Sequence, residues 1–293
     1  MKPEWGMNRT IRPRARSLAR TSFEEVADSA AAIHERTGVG TRFGDEGNAI
    51  LVYHHVGPDD DEAPFGTVTP ERLRADLQFL QEAYSVVPLS EVAGDIDGPA
   101  VALTVDDGYR SVHTEVLPLL REFGFPATVF VSPGLIGDRN PELVATRHGV
   151  SPAKVPMLTD EEVSTLAAEP LVELGNHSQT HPSLAEVDSP DRLHREIVGA
   201  RDRLQDRYGV AVGAFSYPHG AASPRARVLV EQTHAVSVTT APFLVEPPCE
   251  THGLPRVGGH HPPARLRWEL SPLSDRLNRL RYATLWSRAW RGT

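Results

Sequence analysis

Two adjacent carboxylates, Asp106 and Asp107, end the apolar run Ala100-Val-Ala-Leu-Thr-Val105, and about seventy residues on, His177 and His181 stand four apart in Asn-His-Ser-Gln-Thr-His-Pro. One carboxylate with two imidazoles is a ligand set for a divalent cation that leaves coordination positions open for water and substrate. The other carboxylate is then free to take a proton from that water. Each motif alone is commonplace, since an Asp-Asp pair is usually a loop and a His-x-x-x-His usually a helix surface. What ties them together is placement at the ends of buried strands. Unpaired like charges there cost several kcal/mol unless a cation or hydrogen bonds compensate.

The elements around these residues predict how they are positioned. Apolar runs at 49–56, 85–89, 100–105, 127–131, 171–174, 212–216 and 235–239 read as strands. They alternate with helical patterns at 69–80, 112–123, 160–168, 191–208 and 225–233, while 133–156 reads as an irregular stretch long enough to shape a rim. Such alternation predicts parallel strands with helices outside. In a barrel, Asp106, Asp107, His177, His181 and the segment Tyr217-Pro-His-Gly220 all converge on the C-terminal face.

Composition bounds the function classes. The chain has 293 residues, enough for one substantial core, and a net charge of -9 that argues against a nucleic-acid partner. A single cysteine, Cys249, excludes an intramolecular disulfide and a cysteine-based zinc cluster. The arginine-rich N-terminus lacks the apolar stretch of a secretory signal, and no run of eighteen apolar residues exists. The expectation is a cytoplasmic protein, or one peripheral at the inner face of a membrane. Three segments are expected: an N-terminal polar, helical extension at 1–47, read as an extension or lid; a barrel at 48–270; and an amphipathic helix at 271–293. In the last, leucines alternate with Arg276, Arg279, Arg281 and Arg288, which suits either packing on the barrel or peripheral contact with an anionic membrane. The oligomeric state is left open.

Several ordered motifs resemble the polysaccharide deacetylase family, carbohydrate esterase family four, which carries the NodB-homology domain. They are Leu103-Thr-Val-Asp-Asp-Gly-Tyr109, Gly175-Asn-His-Ser-Gln-Thr-His-Pro182, the Tyr53-His54 and 126–131 strands, and Leu158-Thr-Asp-Glu-Glu162. The similarity runs from about residue 49 to about 258. It implies an α/β fold, a distorted (β/α)7-type TIM-like barrel forming a single catalytic domain. It also implies a divalent cation, most often Zn2+, and hydrolytic removal of acetyl from an N-acetylated sugar or polysaccharide. Carried over by position, Asp107, His177 and His181 would hold the metal and Asp106 would be the general base. Tyr217 and His219 would bind substrate and oxyanion, the latter through a main-chain N–H.

Two departures stand out. Where family members often carry a base-orienting arginine, this chain has Ser216, and Arg256 in Leu-Pro-Arg-Val is the candidate for the missing charge, unless it is a surface arginine beside a proline turn. For the general acid the candidates are His260 and His261, with His252 nearby; otherwise Asp106 shuttles the proton itself, or His54 or His55 assists. Alternative functions on the same fold are an O-acetyl esterase, a small-molecule amidohydrolase and a catalytically silent glycan-binding protein.

Overall fold

The computed structural model describes residues 13–39, 47–58, 60, 63–138, 140–149, 151 and 153–282, with side chains from residue 25 to 281, residue 138 apart. In chain order the strands are β1 (Ala49–Tyr53), β2 (Ser85–Val86), β3 (Ala100–Val105), β4 (Ala127–Val131), β5 (Val172–Asn176), β6 (Ala214–Ser216), β7 (Val236–Val238) and β8 (Val257–Gly258). The helices are α1 (Pro13–Thr37), α2 (Pro70–Ala83), α3 (Leu117–Phe123), α4 (Pro141–His148), α5 (Asp160–Ala167), α6 (Pro190–His194), α7 (Ala200–Tyr208), α8 (Pro224–Thr233), α9 (Pro263–Glu269) and α10 (Pro272–Tyr282).

Every residue of β1, β3 and β4 is buried, the pattern of barrel strands with helices on the outer face and packed side chains on the inner one. All pairings are parallel, in the order β7-β6-β5-β4-β3-β1-β8, with β2 beside the start of β3. The open side of this curled sheet is bridged by one short segment. Leu254 pairs with Val238 of β7, and three residues later Val257 pairs with Leu51 of β1. Residues 254–258 therefore span the seam of the distorted barrel.

Register fixes the site. Tyr53 is level with Val105, and Asp106 N–H donates to Tyr53 O at 2.9 Å. Val131 is level with Asn176, and His177 N–H donates to Val131 O at 3.0 Å. Strand ends from across the sheet thus deliver the motif residues to one rim, as the alternation of elements predicts.

Some elements differ from expectation. The helix expected over 112–123 opens with a π-helical turn at Val112–Val116, and that over 191–208 is split by another at Arg195–Gly199. The stretch 133–156 is not irregular throughout: it holds α4, with Pro141 in its first turn, Glu142 beside it and Gly149 as a left-handed cap. Val144 anchors α4 in a small cluster with Tyr109, Leu135, Val155 and Met157.

The described part of α1 lies against α9. Asp28 meets Arg265 at 3.1 Å, Glu35 meets Arg267 at 2.9 Å, and the His34 and Trp268 rings are 5.9 Å apart. In α10 the buried residues include polar ones: Asp275 accepts from Leu244 N–H at 2.8 Å and Asn278 donates to Glu269 at 2.9 Å. Those bonds turn Leu277 and Leu280 outward, 50% and 76% exposed. Residues 283–293, the rest of the expected amphipathic helix, and 1–12 of the expected extension lie outside the described residues. No described helix is long and apolar enough to cross a membrane.

Candidate active site

The turn after β3 sends its two carboxylates in different directions. Asp107 has φ 74° and Gly108 follows at φ 76°, a left-handed pair that a β-carbon resists. Ser178, His181 and His219 also have positive φ, at 62°, 52° and 58°. Among the described residues these four are the only non-glycine positions so bent, and all belong to the motifs under discussion. Backbone strain of this kind costs about 1–3 kcal/mol per residue and persists where surrounding structure over-determines it. The hydrogen bonds that hold the histidine turn are specific. Ser178 N–H donates to Asn176 Oδ1 at 3.0 Å, and His181 N–H donates to Ser178 Oγ at 3.0 Å. Gly175 is required by a close approach: a β-carbon there would lie 2.3 Å from the Phe130 ring.

Asp107 faces the two histidines. Its Oδ1 lies 3.5 Å from His177 Nε2 and 3.3 Å from His181 Nε2, and the two Nε2 atoms are 3.2 Å apart. Four ligands at bond lengths of about 2.0–2.1 Å around a tetrahedral zinc are themselves about 3.3 Å apart, so this triangle matches such a set. Two imidazole nitrogens and a carboxylate oxygen in mutual contact are also favoured by positive charge placed among them, which a cation supplies. His177 Nδ1–H donates to Ser216 O at 2.8 Å, which fixes the tautomer and leaves Nε2 free to coordinate. Burial works to raise the Asp107 carboxyl, but His177 and His181 hold it well below the usual carboxylate range. The residues present therefore fit a divalent cation.

Asp106 faces the seam. Arg256 donates from Nη1 to Oδ1 at 2.8 Å and from Nη2 to Oδ2 at 2.7 Å, a bidentate pair, and Ser216 Oγ donates to Oδ2 at 3.1 Å. Arg256 is itself locked by Thr239 O at 2.8 Å and Thr104 Oγ1 at 3.1 Å. It is 2% exposed, so it is not a surface arginine. Burial pushes the Asp106 carboxyl up, yet Arg256 and then His177 outweigh it and bring the group down to about 2.

These groups line a pocket of about 190 Å³ together with His54, Phe65, Tyr109, Arg147, His148, Tyr217, His219 and Thr240. No described residue of α1 lines it. Tyr217 is buried at the wall, and His219 is exposed at the rim with its ring 4.7 Å from that of His181. Burial, then the neighbouring His181 and His177, lower the His219 pKa. His260 stands one layer back, its ring 5.2 Å from that of Phe65, with burial bringing its pKa down to about 4. His261, beside it, and His252, 3.4 Å from Ser237 Oγ, do not line the pocket either.

Sequence reasoning missed Arg147 and His148. His148 Nδ1 is 3.6 Å from Asp107 Oδ2, and its ring packs 4.9 Å from that of His181. Burial, partly opposed by Asp107, takes it down to about 4. The Pro-Glu start and Gly149 stop of α4 are signals in the sequence that would have found the helix, but not its direction.

A parallel α/β sheet carries at its C-terminal rim a buried Asp-His-His set that could hold a metal ion and a second, arginine-clamped carboxylate. Residues 93–238 match the family model described as polysaccharide deacetylase. The chain is 30% identical over 118 residues to the poly-beta-1,6-N-acetyl-D-glucosamine N-deacetylase of Escherichia coli K12, a match covering 38% of this chain and 17% of that protein. It is 30% identical over 143 residues to the chitooligosaccharide deacetylase of Rhizobium leguminosarum bv. phaseoli, covering 47% of this chain and 50% of that one. The chain thus spans half or less of the length of these curated relatives. In fold it is similar to the Streptococcus pyogenes deacetylase PplD, solved in complex with acetate, with TM-score 0.63 and 20% identity over 78% of this chain and 100% of that one. It is similar also to IcaB from Ammonifex degensii, with TM-score 0.61 and 21% identity over 78% of this chain and 98% of that one. The chain belongs to the polysaccharide deacetylase family.

Proposed function

We propose that the chain is a zinc-dependent N-deacetylase acting on an N-acetylated glycan. The observation that carries this reading is the separation of two neighbouring carboxylates, Asp107 toward two imidazoles and Asp106 toward a guanidinium. A cation held by Asp107, His177 and His181 would supply Lewis acidity and lower the pKa of water toward about 7.

The chain's own groups do the rest. Asp106 is ionised at any ordinary pH and is held in one orientation by Arg256 and Ser216, so it is the proton acceptor when water adds to the acetyl carbonyl. The bent turn at Tyr217–His219 supports a main-chain N–H contact to the developing oxyanion. For the acid, the position of His219 on the rim favours it over His260, which stands behind Phe65. His219 in its protonated form gives a proton to the leaving amine, and solvent at the rim restores it once Asp106 has released the proton taken from water. Phe65, 78% exposed at the mouth, offers an aromatic face to a sugar ring. The pocket has room for an acetamido group while the rest of the glycan lies over the rim.

An O-acetyl esterase or small-amide hydrolase would use the same centre. The names of the curated relatives favour N-acetylglucosamine polymers. A silent binding protein has no need of an arginine-clamped base. For residues 271–293, the outward Leu277 and Leu280 support peripheral membrane contact as a second role.

Acetate release tests the reading, from poly-N-acetylglucosamine, chitooligosaccharides and acetylated xylan, with zinc and after chelation. We expect release from an N-acetylated glycan, lost by about 100-fold or more on chelation and restored by zinc. No release from any of them with metal bound would sink it.

A further inference from the structure

Among the described residues Arg147 is a cation with no partner. It lines the metal pocket from the last turn of α4, yet among the described residues it makes no hydrogen bond or ion pair, and its Nε is buried without an acceptor. Its neighbour His148, in the same wall, has a buried Nε2 in the same condition. A buried donor left without an acceptor is destabilising, more so on a charged group. A place in the last turn of a helix suits a positive side chain through the dipole, but that does not require burying Nε.

Nor is Arg147 mobile decoration. Val144, one turn earlier, ties α4 to Tyr109 and Met157, and the Tyr109 ring packs 5.5 Å from that of His148. The other pocket charges are already spoken for. Asp106 is neutralised by Arg256, and Asp107 is a single negative charge facing a divalent ligand set. Arg147 therefore adds positive charge that no other carboxylate among the described residues of the pocket answers.

We propose that Arg147, with His148 beside it, recognises a carboxylate carried by the glycan next to the acetamido group, so that the preferred substrate is an acidic N-acetylated sugar rather than a neutral polymer. This rests on the deacetylase reading above. A planar guanidinium matches a carboxylate in two parallel hydrogen bonds, and charge-assisted bonds of this kind are worth about 10- to 150-fold in affinity.

The test compares two probes on the zinc-loaded full chain: the neutral tetramer of N-acetylglucosamine, and a tetramer alternating N-acetylglucosamine with N-acetylmuramic acid, which bears a carboxylate. We expect kcat/KM for acetate release to favour the acidic probe by about tenfold or more, chiefly through KM. Arg147→Gln should bring the two probes together, and Arg147→Lys, which keeps the charge without the fork, should fall between. Calorimetry gives a second readout: N-acetylmuramic acid should bind wild type about tenfold more tightly than it binds Arg147→Gln. Equal use of both probes by wild type, or a preference unchanged in Arg147→Gln, overturns the inference and leaves deacetylation standing. Absence of acetate from either probe, with the binding difference intact, sinks deacetylation and keeps the anion site.

Discussion

Arg256 and Asp106, 150 residues apart, meet in two parallel hydrogen bonds of 2.8 and 2.7 Å at the seam where residues 254–258 join β7 to β1. One side chain thus closes the sheet and aims the carboxylate. Fold and chemistry share that contact.

Replacing Arg256 should therefore damage both. Arg256→Met leaves a buried carboxylate unpaired, which costs about 3–5 kcal/mol. Thermal unfolding should register that loss directly. Arg256→Lys keeps a charge but not the fork, and should retain more stability while turnover drops by about 100-fold. Full turnover in Arg256→Lys would show that the bidentate geometry is not needed.

The two histidine candidates for the acid separate by kinetics. His219→Ala should lower kcat by about 100-fold with zinc still bound. His260→Ala should act through Phe65, raising KM severalfold while kcat changes little. A larger kcat loss in His260→Ala than in His219→Ala would reverse the assignment.

Acid should unfold the protein through buried histidines. His234 accepts from Asn176 Nδ2 at 3.1 Å, behind the turn that carries His177 and His181, and burial followed by Arg201 lowers it to about 4. Its folded pKa lies below the unfolded value of about 6.5, so its contribution is complete above about pH 6.5 and is lost as pH falls toward about 4. Denaturant melts between pH 7 and 4 should show stability falling across that window. In His234→Gln the fall should be shallower, and an unchanged slope would remove His234 from the account.

The two motifs of the candidate metal site are legible in the sequence because each is shaped locally, while sheet register brings them together. Asp106-Asp107 ends a buried strand, and the turn from Asn176 to His181 is closed by its own side chains. Arg256 was a candidate without a place, since β8 is a two-residue strand with no periodicity to read. Arg147 and His148 were hidden for a different reason. An eight-residue helix with one buried residue, Val144, leaves its orientation to a tertiary contact. In α10, the leucine stripe suggests an apolar buried face, but Asp275, Asn278 and Ser274 are buried instead because they satisfy Leu244 N–H and Glu269. Periodicity does not see hydrogen bonds made to other elements.

The most direct test of the central claim, that Asp107 binds while Asp106 works, is zinc content measured alongside acetate release in Asp106→Asn and Asp107→Asn. Asp106→Asn should hold one zinc per chain and lose turnover by about 100-fold or more, whereas Asp107→Asn should lose both zinc and turnover. Zinc retained by Asp107→Asn and lost from Asp106→Asn would contradict the account.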